Sequence, residues 1–369
     1  MGGCSAKPPR DAAPQDSGAG VPSGHAADEP STRELSAVHK GALFGVCCAT
    51  GSVVATCGED GVVALRDWQR ADESVVAVWR GHTRPVNRVV AGKSGKVYSC
   101  SRDQTLCAWS TDSEAPLRRF EGHELTVSAV AVDDGEQTLC SGSRDYSVRL
   151  WDIETGATVH SSKISRNLVT SLKWVPTEPA VVQGSEDLRL RVWDTRDGLK
   201  AAQTMGGYTY FPLCIDIAPG GNEIVTGCKG FNGSGCEAKV WDRRMEKILF
   251  ELRGHQQDTT GAVYLPRSGG GESGSASRMI ATASKDQTVK LWDASTGELV
   301  SEHSDAEAGM YTGLSAPPCA SGLEDAAAVD VLDAQAPVAF CATTFSGSLI
   351  LYDEQGARLA HAPSLGELE

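Results

Sequence analysis

No stretch of the 369-residue chain is apolar for the roughly 18 residues a helix needs to cross a bilayer. No apolar run follows the first residues, so no secretory leader is expected. Cationic residues are in the minority, 34 Lys and Arg against 48 Asp and Glu, for a net charge of −14. That balance argues against a nucleic-acid partner held by phosphate neutralisation. The chain has 12 cysteines, but none are spaced as Cys-x-x-Cys, so no metal site is expected. Most sit in short apolar runs (Cys47, Cys57, Cys100, Cys140, Cys214 and Cys341) and read as reduced core thiols of a cytosolic protein. There is no P-loop, no Gly-x-Ser-x-Gly and no His-Glu-x-x-His. Gly230, Gly233 and Gly235 have phosphate-cradle spacing but fall in a turn between strands rather than ahead of a helix. The expectation is therefore no catalytic residue, no cofactor and no enzyme.

Glycine, by contrast, is abundant at 40 residues, and apolar residues make up 40% of the chain. Short apolar runs broken by glycine-rich turns predict a globular protein of many short strands. Residues 1–33 differ: they are rich in Pro, Gly, Ala, Ser and Asp and have almost nothing large and apolar. Such a segment cannot bury enough surface to offset the entropy of ordering it, so a disordered tail is expected. It opens Met1-Gly2-Gly3-Cys4-Ser5-Ala6-Lys7. Gly2 is placed for N-myristoylation and Cys4 for palmitoylation, although Ala6 stands where the myristoylation pattern asks for Ser or Thr. One myristoyl chain holds a membrane only marginally, and two hold it stably. Dual acylation is the expectation, with an unmodified start as the alternative.

The rest of the chain repeats. Trp-Asp recurs at Trp151, Trp193, Trp241 and Trp292, with Trp68 and Trp109 in similar contexts and Tyr352-Asp353 closing the series. Gly-His precedes three of these marks, at His82, His123 and His255. After His123 come three apolar runs, TVSAVAV, TLCSGS and SVRLWD, separated by polar turns, and a fourth run follows the Trp-Asp. Four strands in a unit of about 40 residues is the arrangement of a propeller blade. Seven units fit residues 35–353.

These marks resemble the WD40-repeat β-propellers. The resemblance implies an all-β fold over residues 34–369, a single propeller of seven four-stranded blades ending near Trp68, Trp109, Trp151, Trp193, Trp241, Trp292 and Tyr352. It also implies a buried tetrad in three blades: His82, Ser101, Asp103 and Trp109; His123, Ser143, Asp145 and Trp151; His255, Ser284, Asp286 and Trp292. A set that recurs three times is structural, whereas a Ser-His-Asp triad would occur once. Other blades depart from the pattern. The first has His39, Asp60 and Trp68, with Gly58 in the Ser position. The fourth has Ser165 in the His position and keeps Ser185, Asp187 and Trp193. The fifth has Tyr208 for His and the turn Gly230–Glu237 in place of the Asp turn. Arg267–Arg278 and Ala316–Pro337 read as insertions. An open ring would leave a strand edge unpaired, and either Thr32–Val38 or Ala357–Ala360 could close it.

The family places partner contacts just before the turn Asp, and three and five residues after the His. Carried over, the resemblance implies a partner-binding face of Asn87, Arg102, Thr126, Arg144, Glu186, Phe211 and Lys285, with Glu59, Ser128, Leu168, Thr170, Asp258, Thr260, Phe44, Leu213 and Met310 in equivalent places. Within the family, Ser165–Thr170, Lys173–Pro176 and Gly227–Asp242 resemble a cilia-associated branch. The implied function is a non-enzymatic adaptor, tethered to membrane through its tail and acting in the cilium or flagellum. Its implied partners are proteins, such as ciliary trafficking machinery or small-GTPase regulators, and not nucleic acid. The alternative is a lipid-free scaffold or a substrate receptor of a ubiquitin ligase.

Overall fold

The computed structural model describes residues 33–49, 52–70, 74–176, 178–265, 278–317, 338–363 and 365. Gly2, Cys4, nearly all of the tail and most of both insertions lie outside them.

Among the described residues every regular element is a strand. Seven antiparallel sheets follow one another, each built from four consecutive strands. Blade 1 takes Leu43–Cys48, Val53–Gly58, Val62–Asp67 and Val75–Arg80, and blade 3 takes Val127–Val132, Thr138–Ser143, Ser147–Asp152 and Thr158–Lys163. Burial within a blade follows strand position. In blade 3 the second strand is almost wholly buried, while the outer strand Thr158–Lys163 is largely exposed. Because both faces of the inner strands are covered, their sequences read as apolar runs rather than alternations.

The turns explain the spacing of the repeat. Asp145 accepts the Ser147 amide at 2.8 Å, and its own amide donates to Ser143 Oγ at 3.1 Å. These side-chain bonds brace the chain reversal. The next residue, Tyr146, then adopts a left-handed φ of 71°. Gln104, Leu188 and Gln287 repeat that conformation in blades 2, 4 and 6.

The core lies between blades. Each of the seven apolar clusters joins two neighbouring sheets. One of them unites Leu43, Cys48 and Val54 of blade 1 with Cys341, Leu349 and Leu351 of blade 7, so the ring is closed. Inner strands approach closely at glycines. A Cβ on Gly142 would lie 2.3 Å from Val169 of the next blade, and one on Gly227 would lie 2.5 Å from the Thr259 carbonyl.

Both segments expected to compete for closure are used. Arg358–Ala362 is the fourth strand of blade 7, and Arg33–Glu34 adds a fifth, parallel to it. Leu35 continues the contact, buried and donating to the His361 carbonyl at 2.6 Å.

Candidate partner-binding face

One end of each blade carries the segment that enters the innermost strand and the turn joining the second and third strands. In blades 2, 3 and 6 these are knitted by a polar chain. His82 Nδ1 lies 2.8 Å from Asp103, His82 Nε2 lies 2.8 Å from Ser99 Oγ, and Trp109 Nε1 donates to the same Oγ at 2.8 Å. The Ser99 hydroxyl thus accepts the indole N–H and bonds the imidazole, whose other nitrogen faces the carboxylate. Blade 3 repeats the chain through His123, Asp145, Ser141 and Trp151, and blade 6 through His255, Asp286, Thr282 and Trp292.

The geometry resembles a catalytic triad, but Ser99, Ser141 and Thr282 are completely buried and already take an indole N–H. Burial alone would raise the Asp103 carboxyl. The His82 hydrogen bond and charge, with the Thr105 and Thr83 donors, outweigh it and hold the group well below the usual range. Asp145, Asp286 and, in blade 1, Asp60 are lowered by the same balance.

The tetrad hydroxyls differ from those expected. Ser101, Ser143 and Ser284 lie two residues further on. Ser101 and Ser143 each donate to carbonyls of the entering segment, Arg84 and Pro85 for Ser101 and Leu125 and Thr126 for Ser143, and all three accept the turn Asp amide. In blade 4 Asn167, not Ser165, takes the His place. It exchanges hydrogen bonds with Gln183, which accepts from Trp193 Nε1 at 2.7 Å. Arg191 bridges Asn167 to Asp187 there. In blade 1 His39 bonds Asp60 and Thr56, and the Trp position is filled by Arg66, opposite Val54, rather than by Trp68. Tyr208 does take the His place in blade 5, 3.0 Å from Thr226 Oγ1. In blade 7 the Tyr352 hydroxyl meets Tyr311 at 2.7 Å.

Above these networks runs a seven-fold rim. The residue before each turn Asp, or its counterpart, donates its amide to a carbonyl of the entering segment at 2.8 to 3.0 Å. Around the ring these donors are Glu59, Arg102, Arg144, Glu186, Lys229, Lys285 and Phe345, and the acceptors are Ala42, Pro85, Thr126, Leu168, Phe211, Asp258 and Met310. Arg102 lies over the Phe44 ring at 5.1 Å, and Lys229 lies over Phe211 at 5.0 Å. Arg144 pairs with Glu186 at 3.0 Å and Lys285 with Asp258 at 2.8 Å. Phe345 is 55% exposed beside Met310.

The expected face is thus brought together, with one part reassigned. Asn87 donates to Val127 O and accepts from Arg102 Nε. Ser128, Thr170 and Thr260 likewise reach carbonyls of the next blade, at Val169, Pro212 and Tyr311. These four side chains tie neighbouring blades together. Lys229 and Phe345 were not anticipated, because their turns lack the Asp that marks the rim position elsewhere.

A ring of seven four-stranded sheets with repeating His, Asp, hydroxyl and Trp networks defines a β-propeller. Residues 73–110, 114–152, 157–194 and 246–293 match the family described as WD domain, G-beta repeat. It is similar to Nuclear distribution protein PAC1 of Arthroderma benhamiae, 30% identical over 97 residues, covering 26% of this chain and 20% of that protein. Pre-mRNA-processing factor 19 of Bos taurus is 29% identical over 102 residues, 27% of this chain and 18% of its own length. The Guanine nucleotide-binding protein subunit beta of Schizosaccharomyces pombe is 32% identical over 88 residues, 24% of this chain and 28% of its own length. The matched segments span well under a third of each of these relatives. WD40 propellers serve as protein-interaction scaffolds and are generally non-catalytic.

Proposed function

We propose that this chain is an adaptor whose cationic and aromatic rim receives an acidic protein partner. The observation that carries this reading is the charge on the rim. Among the described residues, Arg102 and Lys229 are exposed, lie over aromatic rings and have no carboxylate in salt-bridge range, on a chain of net charge −14. Cations and aromatics of this kind are frequent hot spots, and a local positive patch steers an acidic surface toward it. Arg144, Glu186, Phe211, Thr126 and Lys285 lie on the same rim, with Arg144 and Glu186 between the two cations.

In this proposal Gly2 and Cys4 carry acyl chains, and the tail tethers the propeller to membrane, raising the local concentration of partners there. The ciliary setting is supported by likeness alone. Ser165–Thr170, Lys173–Pro176 and Gly227–Asp242 resemble WD repeat-containing protein thirty-one, which is associated with cilia.

The test is co-purification from ciliated cells, comparing wild type with an Arg102→Glu, Lys229→Glu double variant and with Gly2→Ala and Cys4→Ser. The adaptor reading expects the charge reversal to remove partners while the protein stays folded and membrane-bound. The tail variants are expected to become soluble. An unchanged partner set in the double variant would refute the rim, and a fully soluble wild type would leave a lipid-free scaffold.

A further inference from the structure

Blades 1 and 7 are joined in the chain by residues 35–42, which run from the strand Arg33–Glu34 at the edge of blade 7 into Leu43–Cys48 of blade 1. Their seam is held by a shared apolar cluster and by the two-residue parallel pairing of Arg33–Glu34 with blade 7. Within that seam Cys48, the last residue of the innermost strand of blade 1, places its Sγ 3.1 Å from Sγ of Cys341 on the second strand of blade 7. Unbonded sulfurs ordinarily pack further apart. A disulfide bond is about 2.05 Å long, so an approach of about 1 Å would join them.

Ser315 holds both members of the pair. The Cys48 amide donates to Ser315 Oγ at 2.9 Å, and the Cys341 thiol lies 3.4 Å from the Ser315 carbonyl. The neighbouring Cys47 is turned toward blade 2, where its sulfur accepts the Ala91 amide at 3.3 Å. Among the described residues, no other two sulfurs make such a contact.

We propose that Cys48 and Cys341 form a redox site at which a hydroperoxide closes the ring covalently. Cys48 is 6% exposed and Cys341 fully buried, so Cys48 meets the oxidant. Its thiol gives up a proton, the thiolate attacks the O–O bond of hydrogen peroxide and keeps one oxygen as a sulfenic acid, and the departing hydroxide takes up that proton and leaves as water. Sγ of Cys341 then attacks Sγ of Cys48. The S–O bond breaks, and the departing hydroxide leaves as water with the Cys341 proton. Two thiols and one peroxide become one disulfide and two waters.

Burial, reinforced by the adjacent Cys48, keeps the Cys341 thiol protonated. Reaction is therefore slow in the closed ring and quickens when the seam opens locally. The bond would enclose nearly the whole propeller in one loop, and the constraint on the unfolded chain grows with loop length.

The test uses the purified full-length protein. It is treated with hydrogen peroxide, blocked with N-ethylmaleimide and digested without reduction for peptide mapping. The expected result is a Cys48–Cys341 linkage and a melting temperature higher by about 5 °C or more, both reversed by dithiothreitol. Cys47→Ser should keep the linkage, and Cys48→Ser and Cys341→Ser should lose it together with the shift. The wild-type map decides even if a serine variant folds poorly. Alkylation of both thiols after peroxide, a linkage to another cysteine, or a linkage without any melting shift would overturn the proposal.

Discussion

Ser141 and Ser143 differ by two positions, and so face the same side of their strand. Ser141 joins His123 to Trp151, whereas Ser143 serves the turn. Ser141→Ala strips two buried groups of their partner, the imidazole Nε2 and the indole N–H. At about 1 to 3 kcal/mol for each orphaned group, it should lose about 2 to 6 kcal/mol in urea unfolding. Ser143→Ala leaves the tetrad intact and should cost less. The carboxylates give a second measurement. Asp103, Asp145 and Asp286 are held below their unfolded value, near 3.9, so they bind protons more readily in the unfolded chain. Their contribution is complete above that value and is lost as pH falls through the folded one. Asp145→Asn should therefore flatten the acid limb of a stability–pH curve and leave neutral pH as the region of greatest deficit. This scale was the hardest to read from sequence. Residues 99 and 101 are both Ser, and 141 and 143 are both Ser, so identity and parity cannot tell the tetrad hydroxyl from the turn hydroxyl. Only the pairing of Val97 with Trp109 and of Leu139 with Trp151 shows which one lies beneath the indole.

At the scale of the blade, legibility follows how much of the polar set survives. Blades 2, 3 and 6 carry His, Asp and Trp together and declare their strands plainly. Blade 1 misleads, because Trp68 lies two residues past the position that Arg66 fills. A buried arginine in place of tryptophan carries no repeat signal. Burial lowers the Arg66 guanidinium to about 10, and its Nη1 donates to the Ser36 carbonyl. Blade 4 hides its network for the same reason: Asn167 and Gln183 do the work of His and Ser with different atoms. Gly142, Gly184 and Gly227 of the second strands follow from ring geometry rather than from any one blade, since each meets the neighbouring sheet. At Gly227 the obstacle is the Thr259 backbone, which cannot swing aside as a side chain can. Gly227→Ala should cost about 1 to 3 kcal/mol in chemical unfolding. If it unfolded at the wild-type midpoint, blades 5 and 6 would have to be free to separate.

For the whole molecule the issue is how a ring is kept shut. Composition and repeat length make seven blades legible, but they do not say which terminus closes them, because strand candidates stand at both ends. Blade 7 is completed from the C-terminal side by Arg358–Ala362, and the N-terminal strand is laid outside it. That outer strand is short, yet several groups depend on it. Leu35 is buried in the seam, Arg66 reaches the Ser36 carbonyl, and His39 follows at once in the blade 1 network. Removing residues 1–36 should therefore expose the seam and leave the Arg66 guanidinium without its carbonyl. Removing residues 1–31 keeps both contacts. The longer deletion should melt several degrees below the shorter one, given about 2 to 4 °C for each kcal/mol in a domain of this order of size. The two deletions are compared by thermal unfolding of otherwise identical proteins under reducing conditions, so that Cys48 and Cys341 stay thiols. Equal melting temperatures would mean that Arg358–Ala362 and the apolar seam close the propeller by themselves. A lower value for the longer deletion would make residues 32–36 part of the fold.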